Sequence, residues 1–285
     1  MLAVFRSVAR LGAAALYRTL DPVYRALDRH YVVRTPALRR IPGAGDRRGG
    51  KHAYGEWAHV AGLFQGLIHQ ALGGGAGHHI LDVGCGTGLL GIAASPYVGT
   101  GGRYTGLDVQ AADIAAARRR FAEHSHRFIH LSAANPAYDT AGAPARPPWP
   151  VDDASQDLVT ALSVWTHFAE ADAGFYLGEV ARVLRPGGRA LITAFVLDDT
   201  YRAAAPARLG RWVFDRPAYG ADDWLCPAWV RVPEDAVALT DRALDRIAAA
   251  AGLRLAAAHA GTWKAEGGLY FQDVLVLEKP AAAPG

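Results

Sequence analysis

Short apolar runs alternate with helical stretches through the middle of the chain. Runs of this kind, bounded by glycine, proline or polar residues, predict buried strands. The predicted strands cover 80–83, 103–109, 128–131, 157–163 and 189–195. Helical periodicity between them predicts one helix that begins at Leu89 and others over 110–123 and 171–184. Strands that alternate with helices in this way are typical of an α/β fold, doubly wound around a mostly parallel sheet.

The first 77 residues are predicted to form an N-terminal helical segment and lid. Residues 2–29 carry an apolar stripe with arginine at other positions, and Pro22 predicts two helices joined near Asp21. A loop over 34–52 and a second helix over 56–72 follow. A basic amphipathic helix can lie on an anionic membrane. The favoured interpretation is that it packs over the active site or against a neighbouring subunit, in a possible homodimer.

The strand pattern stops after the fifth predicted strand. Residues 196–239 are rich in tryptophan and arginine, and a long insertion beside a site often covers it. We therefore predict a cap insertion for substrate, with a structural extension or a dimer contact as the alternative. A helix capped by Thr240 or Asp241 and two strands, over 253–258 and 270–277, are predicted in the last segment, 240–285.

Composition and charge exclude several classes of protein. The chain has 285 residues and two cysteines, which argues against a disulfide framework or a zinc site and favours a cytoplasmic location. No apolar run approaches the length that spans a bilayer. Residues 1–51 hold eleven lysine and arginine residues against three aspartates, a net charge of +8, whereas the remainder has a net charge of −5. The body is therefore mildly acidic, which disfavours a nucleic-acid partner.

The first predicted strand runs directly into a glycine-rich turn. Asp82 comes near its carboxyl end, and Gly84, Gly86 and Gly88 follow at a spacing of two before the helix that begins at Leu89. A strand, a glycine turn and a helix together bring the backbone close to a ligand at the helix N-terminus. No Gly-Lys-Ser/Thr follows, so the phosphate-binding loop of nucleotidases is absent.

This stretch resembles motif I of the class I S-adenosylmethionine-dependent methyltransferases, of the bacterial small-molecule type. The resemblance covers about 78–278, with 78–195 as the Rossmann-like cofactor-binding core, and it implies that the last strand is antiparallel. S-adenosylmethionine is the implied cofactor, and S-adenosylhomocysteine the implied product. The implied cofactor-binding residues in motif I are Asp82, Gly84, Cys85, Gly86, Thr87 and Gly88.

Further cofactor contacts are expected at the ends of the neighbouring strands. Asp108 ends the second strand, where an acid can accept hydrogen bonds from both ribose hydroxyls, and Val109 follows it. Ser132 stands where many family members place an aspartate for the adenine amine, so either Ser132 with Ala133, or Asn135, is expected to serve. The remaining expected contacts are Ser163 after the fourth strand, with Tyr54 and Trp57 in the lid.

The acceptor is expected to be a small hydroxylated metabolite, sugar or natural product. Methyl transfer to an alcohol benefits from a general base, and His167 follows the fourth strand on the cofactor side. A purely structural His167 is the alternative, and Glu170, Asp172 and Glu234 are further candidate catalytic residues. Two other functions remain open: a methyltransferase for a lipid or prenyl substrate, docked at a membrane by residues 2–29, and a non-catalytic scaffold that binds the cofactor.

Overall fold

The computed structural model describes residues 2–122, 124–134 and 145–281. Its strands are β1 (His79–Val83), β2 (Arg103–Asp108), β3 (His126–His130), β4 (Gln156–Ala161), β5 (Leu184–Ala194), β6 (Val196–Leu197), β7 (Phe214–Ala218), β8 (Ala221–Pro227), β9 (Ala238–Thr240), β10 (Arg254–His259) and β11 (Asp273–Glu278). Its α-helices are α1 (Leu2–Tyr31), α2 (Tyr54–Leu72), α3 (Leu89–Val98), α4 (Ala111–Arg120), α5 (Glu170–Val183), α6 (Asp199–Ala203), α7 (Pro206–Leu209) and α8 (Asp241–Ala250).

A seven-stranded sheet forms the centre of the molecule, in the order β10-β11-β5-β4-β1-β2-β3. The pairings of β1 with β2, β1 with β4, β2 with β3 and β4 with β5 are parallel. Strand β11 runs antiparallel to both β5 and β10. The expectation of a doubly wound, mostly parallel sheet with an antiparallel last strand is therefore confirmed.

Helices cover both faces of this sheet, because neighbouring side chains of a strand point to opposite faces. Ile80 packs in one apolar cluster with residues of α2, α3 and α4. Leu81, the next residue, packs in a second cluster with residues of α5 and α8. Both side chains are fully buried. The strand order thus leaves the carboxyl ends of β1, β2 and β4 side by side, at the edge where open α/β sheets bind ligands.

The prediction of two helices joined near Pro22 is wrong, because α1 is a single helix with Pro22 inside it. Proline removes one backbone hydrogen bond from a helix, which usually kinks or ends it. Here Asp21, the residue before it, is buried and forms an ion pair of 2.8 Å with the buried Arg47. This anchor holds the helix against the body at the position of the proline.

Residues 196–239 contain strands that the sequence pattern did not predict. β6, β7, β8 and β9 form a second sheet, in the order β6-β9-β8-β7. β7 and β8 are joined by Tyr219 and Gly220, whose φ angles of 56° and 70° suit the twist of a tight hairpin. β7 buries only its two end residues, and β9 has three residues, so neither carries a clear alternation. The strand predicted over 270–277 also begins later, at Asp273.

The start of α8 was predicted from its capping residues. The Thr240 hydroxyl accepts a hydrogen bond of 3.1 Å from the Ala243 amide. We expect Thr240→Ala to lower the free energy of unfolding by about 1 kcal/mol, because an unsatisfied amide remains at the helix start. Urea unfolding of the two proteins measures this, and Thr240→Ser, which keeps the hydroxyl, should lose less. An unchanged unfolding midpoint for Thr240→Ala would show that this cap contributes nothing.

Candidate functional site

The turn between β1 and α3 is built from glycines that no other residue could replace without strain. Gly84, Gly86 and Gly88 have φ angles of 69°, 51° and 97°, in the left-handed region. A Cβ added at Gly84 would lie 2.4 Å from a methyl group of Val164, and one at Gly88 would lie 2.5 Å from the Phe121 ring. The spacing of the three glycines therefore reflects both backbone conformation and close packing.

A cavity of about 730 Å³ opens above this turn, at the carboxyl edge of the sheet. Its volume lies within the range of small-molecule and cofactor sites. Most of the predicted cofactor-binding residues line it, and they come from β1, β2, the ends of β3 and β4, and α2. The predicted residues that line the cavity are Asp82, Gly84, Cys85, Gly86, Thr87, Asp108, Val109, Ala133, Ser163, Trp57, His167 and Asp172.

Asp108 is held in place by backbone amides at the edge of the cavity. One carboxylate oxygen accepts a hydrogen bond of 2.7 Å from the Gly86 amide, and the other accepts one of 2.8 Å from the Gln110 amide. Burial raises the pKa of Asp108, and the hydrogen bonds from the two amides oppose that rise. Each carboxylate oxygen can accept more than one hydrogen bond. The carboxylate can therefore hold the glycine turn and still accept bonds from a ligand.

Asp82 lies below the turn and is almost completely buried. The Tyr104 hydroxyl donates to it over 2.5 Å, and the Thr160 hydroxyl over 2.8 Å. Burial raises the pKa of Asp82 to about 7, and these two hydrogen bonds act in the opposite direction. This carboxyl group thus links β1 to both neighbouring strands directly beneath the cavity.

Residues of the loop before α2 line the cavity, and the role of the N-terminal segment as a lid stays a prediction. Arg48, Gly49 and Lys51 line the cavity, but sequence reasoning did not single them out as site residues. The Arg48 guanidinium forms an ion pair of 2.7 Å with Asp113 on α4. Burial lowers the pKa of Lys51. No local motif marks these residues, because their place in the site depends on contacts across the fold.

The glycine turn itself is tied to this loop. The Thr87 hydroxyl donates a hydrogen bond of 2.6 Å to the Asp46 carbonyl, and Arg120 donates one of 2.7 Å to the Thr87 carbonyl. Arg120 also pairs with the Asp46 carboxylate at 3.1 Å. The loop and the turn therefore form one connected wall of the cavity.

His167 follows β4 and lines the cavity on the other side of β1 from Asp108. Its Nδ1 lies 2.6 Å from the Glu234 carbonyl oxygen. Because a carbonyl oxygen only accepts hydrogen bonds, Nδ1 carries the proton, and Nε2 of the neutral ring is the basic nitrogen. Burial lowers the pKa of His167, against the raising effect of this hydrogen bond. The ring is therefore neutral near pH 7 and able to accept a proton.

The insertion 196–239 contacts the turn that carries His167. In the described residues, none of its side chains lines the cavity. Its backbone and Trp224 instead hold the turn around His167. The Trp224 indole donates a hydrogen bond of 2.9 Å to the Phe168 carbonyl, and the Val237 amide donates one of 2.9 Å to the Thr166 carbonyl. Its role as a substrate cap stays a prediction.

Five predicted site residues lie outside the cavity lining. Gly88 caps α3, and Ser132 is exposed between Leu131 and Ala133, which both line the cavity. Alternate side chains of an extended segment point to opposite sides, which explains the position of Ser132. Tyr54 lies under the Arg47 guanidinium, with 5.6 Å between the guanidinium carbon and the ring centroid.

The other two predicted residues outside the lining are Glu170 and Glu234, which are candidates for catalysis. Glu170 forms an ion pair of 2.6 Å with Arg246, and both side chains are more than a third exposed. Glu234 contributes its backbone carbonyl to His167. Its carboxylate is hydrogen-bonded to Tyr219. Asn135, the alternative adenine contact, lies outside the described residues.

Aromatic side chains that the sequence did not single out line the same cavity. Trp149 stacks on Tyr176 with ring centroids 5.6 Å apart, and Tyr176 stacks on Phe168 at 5.1 Å. Asp172 lies beside them in the lining. These residues come from α5 and from the loops on either side of β4, so only the folded chain brings them together.

The cavity fits the cofactor that the glycine turn implies. Gly84 and Gly86 line the cavity without side chains, and Asp108 offers carboxylate oxygens beside them. Trp57 and Lys51 line the same wall. A nucleoside without phosphates needs hydrogen-bond acceptors for its sugar and an apolar surface for its base. Both are present.

Comparisons with known proteins agree with this site. A family model described as a methyltransferase domain matches residues 80–188. The ubiquinone biosynthesis O-methyltransferase of Bradyrhizobium sp. (strain ORS 278) is 31% identical over 144 residues, which cover 48% of this chain and 49% of that protein. An O-methyltransferase of Pyrenophora dematioidea is 34% identical over 151 residues, covering 52% of this chain and 51% of that protein. The chain spans about half the length of the curated relatives it matches.

The fold is shared with solved structures. The structure of an S-adenosylmethionine-dependent methyltransferase from Methanosarcina mazei aligns with a TM-score of 0.52 at 18% sequence identity. The alignment covers 76% of this chain and 98% of that chain. The fold, the glycine turn and the matching domain together define a class I S-adenosylmethionine-dependent methyltransferase domain. The chain carries this domain, and S-adenosylmethionine is the cofactor of its class.

Proposed function

We propose that this chain is an S-adenosylmethionine-dependent O-methyltransferase for a small hydroxylated acceptor. The observation that carries the proposal is the position of His167, a partly buried neutral imidazole that lines the same cavity as the glycine turn. Neighbouring strands lie roughly 4.8 Å apart, so the ends of β2 and β4 are separated by about 10 Å. That distance suits a nucleoside held at β2 whose reactive end is directed towards β4.

The proposed chemistry divides between the cofactor and the protein. The bound cofactor supplies the methyl group and the leaving group. The chain aligns the acceptor oxygen with the cofactor, excludes water and removes a proton. Nε2 of His167 accepts the hydroxyl proton of the acceptor, and the Nδ1 hydrogen bond to the Glu234 carbonyl fixes the ring and its tautomer. The proton then leaves from His167 to solvent.

The lining beside His167 favours a flat acceptor. Phe168, Tyr176 and Trp149 present aromatic rings that stack in offset or edge-on geometry on a planar ring. Asp172 is a hydrogen-bond acceptor in the same wall. We infer a hydroxylated aromatic ring as the acceptor, in preference to a sugar. The two curated relatives reported above are both named O-methyltransferases, which supports oxygen as the acceptor atom.

The acceptor proposal is tested with matched pairs of compounds. The purified chain, incubated with S-adenosylmethionine, is expected to release S-adenosylhomocysteine with catechols and other phenols. It should release none with the same rings fully O-methylated, and at least tenfold less with sugars. Mass spectrometry measures the product. Release with sugars alone would contradict the aromatic acceptor. Cofactor binding without turnover on any hydroxylated compound would favour the non-catalytic scaffold.

A further inference from the structure

Helix α1 contacts the body of the protein along a line that is largely polar. The buried or half-buried residues of its second half follow one another at helical spacing: Tyr17, Asp21, Arg25, Asp28 and Val32 just beyond its end. Asp21 is the centre of this line, through its ion pair with Arg47. The second half of α1 therefore contacts the body mainly through polar and charged side chains.

In the second half of α1, the large apolar side chains lie on another face, which is exposed. We name Leu16, Leu20, Val23, Tyr24, Leu27 and Tyr31 the α1 stripe. Their side chains are between 37% and 78% exposed. At about 100° of rotation per residue they fall within a sector of roughly 100°, centred about 110° from Asp21. The second half of α1 therefore has the predicted apolar stripe, and much of that stripe is exposed.

An apolar stripe of this size calls for a covering surface. Contiguous exposed apolar patches on soluble proteins usually mark interaction sites. Val33, which is 73% exposed, extends the stripe beyond the end of α1. Tyrosines at the edge of such a stripe are favoured at the boundary between lipid headgroups and acyl chains.

Charge distinguishes between a second copy of the chain and an anionic surface as the partner that covers the α1 stripe. The first 51 residues have a net charge of +8. Arg18 and Arg29 lie on the face of α1 opposite to the α1 stripe, whereas Arg34 and Arg39 are exposed in the segment that follows α1. A second copy of the chain would bring an equal positive charge to the same segment. An anionic surface is complementary, and long arginine side chains reach headgroups while their stems cover apolar area. In the described part of the chain, no helix is both long enough and apolar enough to cross a membrane.

We propose that the chain docks on the surface of an anionic lipid bilayer through the α1 stripe, with α1 lying in the plane of the interface. Such helices bury their apolar face at the boundary between headgroups and acyl chains, and they are held by apolar burial together with positive charge. Arg47 joins α1 to the loop that contributes Arg48 and Lys51 to the cavity. Docking would therefore set the orientation of the cavity relative to the bilayer. This proposal is independent of the acceptor.

Flotation of the full chain with vesicles tests the proposal. The chain is expected to bind vesicles of phosphatidylcholine with phosphatidylglycerol, and at least tenfold less to phosphatidylcholine alone. Leu20→Ser with Leu27→Ser should weaken binding about tenfold or more, since two exposed leucines are lost from the stripe. The matched control is Phe175→Ser with Leu269→Ser, which changes two side chains of similar exposure elsewhere and should bind as wild type.

A second pair of variants tests the contribution of charge. Arg34→Gln with Arg39→Gln should weaken binding to the anionic vesicles about tenfold, whereas Arg119→Gln with Arg231→Gln should change it far less. Analytical ultracentrifugation measures whether the chain dimerises, which tests a second copy of the chain as the alternative partner of the α1 stripe. Absence of binding to anionic vesicles, or equal binding by the stripe variant and wild type, would overturn the proposal. A dimer that the stripe variant abolishes, without vesicle binding, would assign the stripe to a second copy and overturn it as well.

Discussion

Replacing His167 with alanine is expected to lower the turnover number by about 10²- to 10⁴-fold, the range that general acid–base groups contribute. The affinity for S-adenosylmethionine should stay within about twofold of wild type, because His167 lines the cavity across β1 from Asp108, the residue proposed to bind the cofactor. Steady-state kinetics and calorimetry measure the two effects separately. His259→Ala on the edge strand β10 serves as a distant control and should retain full turnover.

His167→Asn separates a base from a structural residue. The asparagine amide can still donate a hydrogen bond towards the Glu234 carbonyl, as Nδ1 does now, but it has no group equivalent to Nε2. If His167 acts as a base, His167→Asn should be as slow as His167→Ala. Recovery of turnover in His167→Asn would leave His167 with a structural role only.

The pH dependence follows from the burial of the same ring. Burial lowers the pKa of His167 below its ordinary value of about 6.5. The neutral, basic form therefore persists below that value, and kcat should fall only when the pH drops through the lowered pKa. His167→Ala should lose this acid limb. A limb that persists in the variant would assign the titration to another group.

Asp108→Ala is expected to weaken S-adenosylmethionine binding by about two orders of magnitude. Hydrogen bonds to a charged group contribute about 1.5–3 kcal/mol each, and the Gly86 amide also loses its acceptor. Calorimetric titration measures the change. Asp108→Asn keeps one oxygen acceptor, so its affinity should lie between those of Asp108→Ala and wild type. An unchanged affinity in Asp108→Ala would refute the assignment of Asp108 to the ribose.

The parts of the fold that could be predicted are those that produce a pattern among residues close together in the sequence. The apolar runs of β1, β2, β4 and β5 are buried on both faces of the sheet, so they form continuous hydrophobic stretches in the sequence. The edge strand β3 buries only Phe128. The glycines of the turn are fixed by backbone conformation and close packing, which leaves a regular spacing in the sequence. Asp108 was predictable because the end of β2 lies beside the glycine turn in any doubly wound sheet.

Other features depend on contacts between distant residues and leave no local pattern. Helix α1 continues through Pro22, where Asp21 forms an ion pair with Arg47, which lies 26 residues further along the chain. β7 exposes the middle of its length, so its sequence resembles a loop. Arg48 and Lys51 enter the site only because their loop folds over the glycine turn. The aromatic lining of the cavity likewise joins loop residues to α5, which sequence spacing does not predict.

The roles given to the glycine turn and to Asp108 depend on cofactor binding, which titration of S-adenosylhomocysteine into the wild-type chain measures. Calorimetry is expected to show saturable binding at a stoichiometry of one, and S-adenosylmethionine should compete for the same site. Circular dichroism of the same sample establishes that the chain is folded. A folded chain that shows no saturable uptake of either compound would contradict the assignment of the glycine turn and Asp108 to this cofactor.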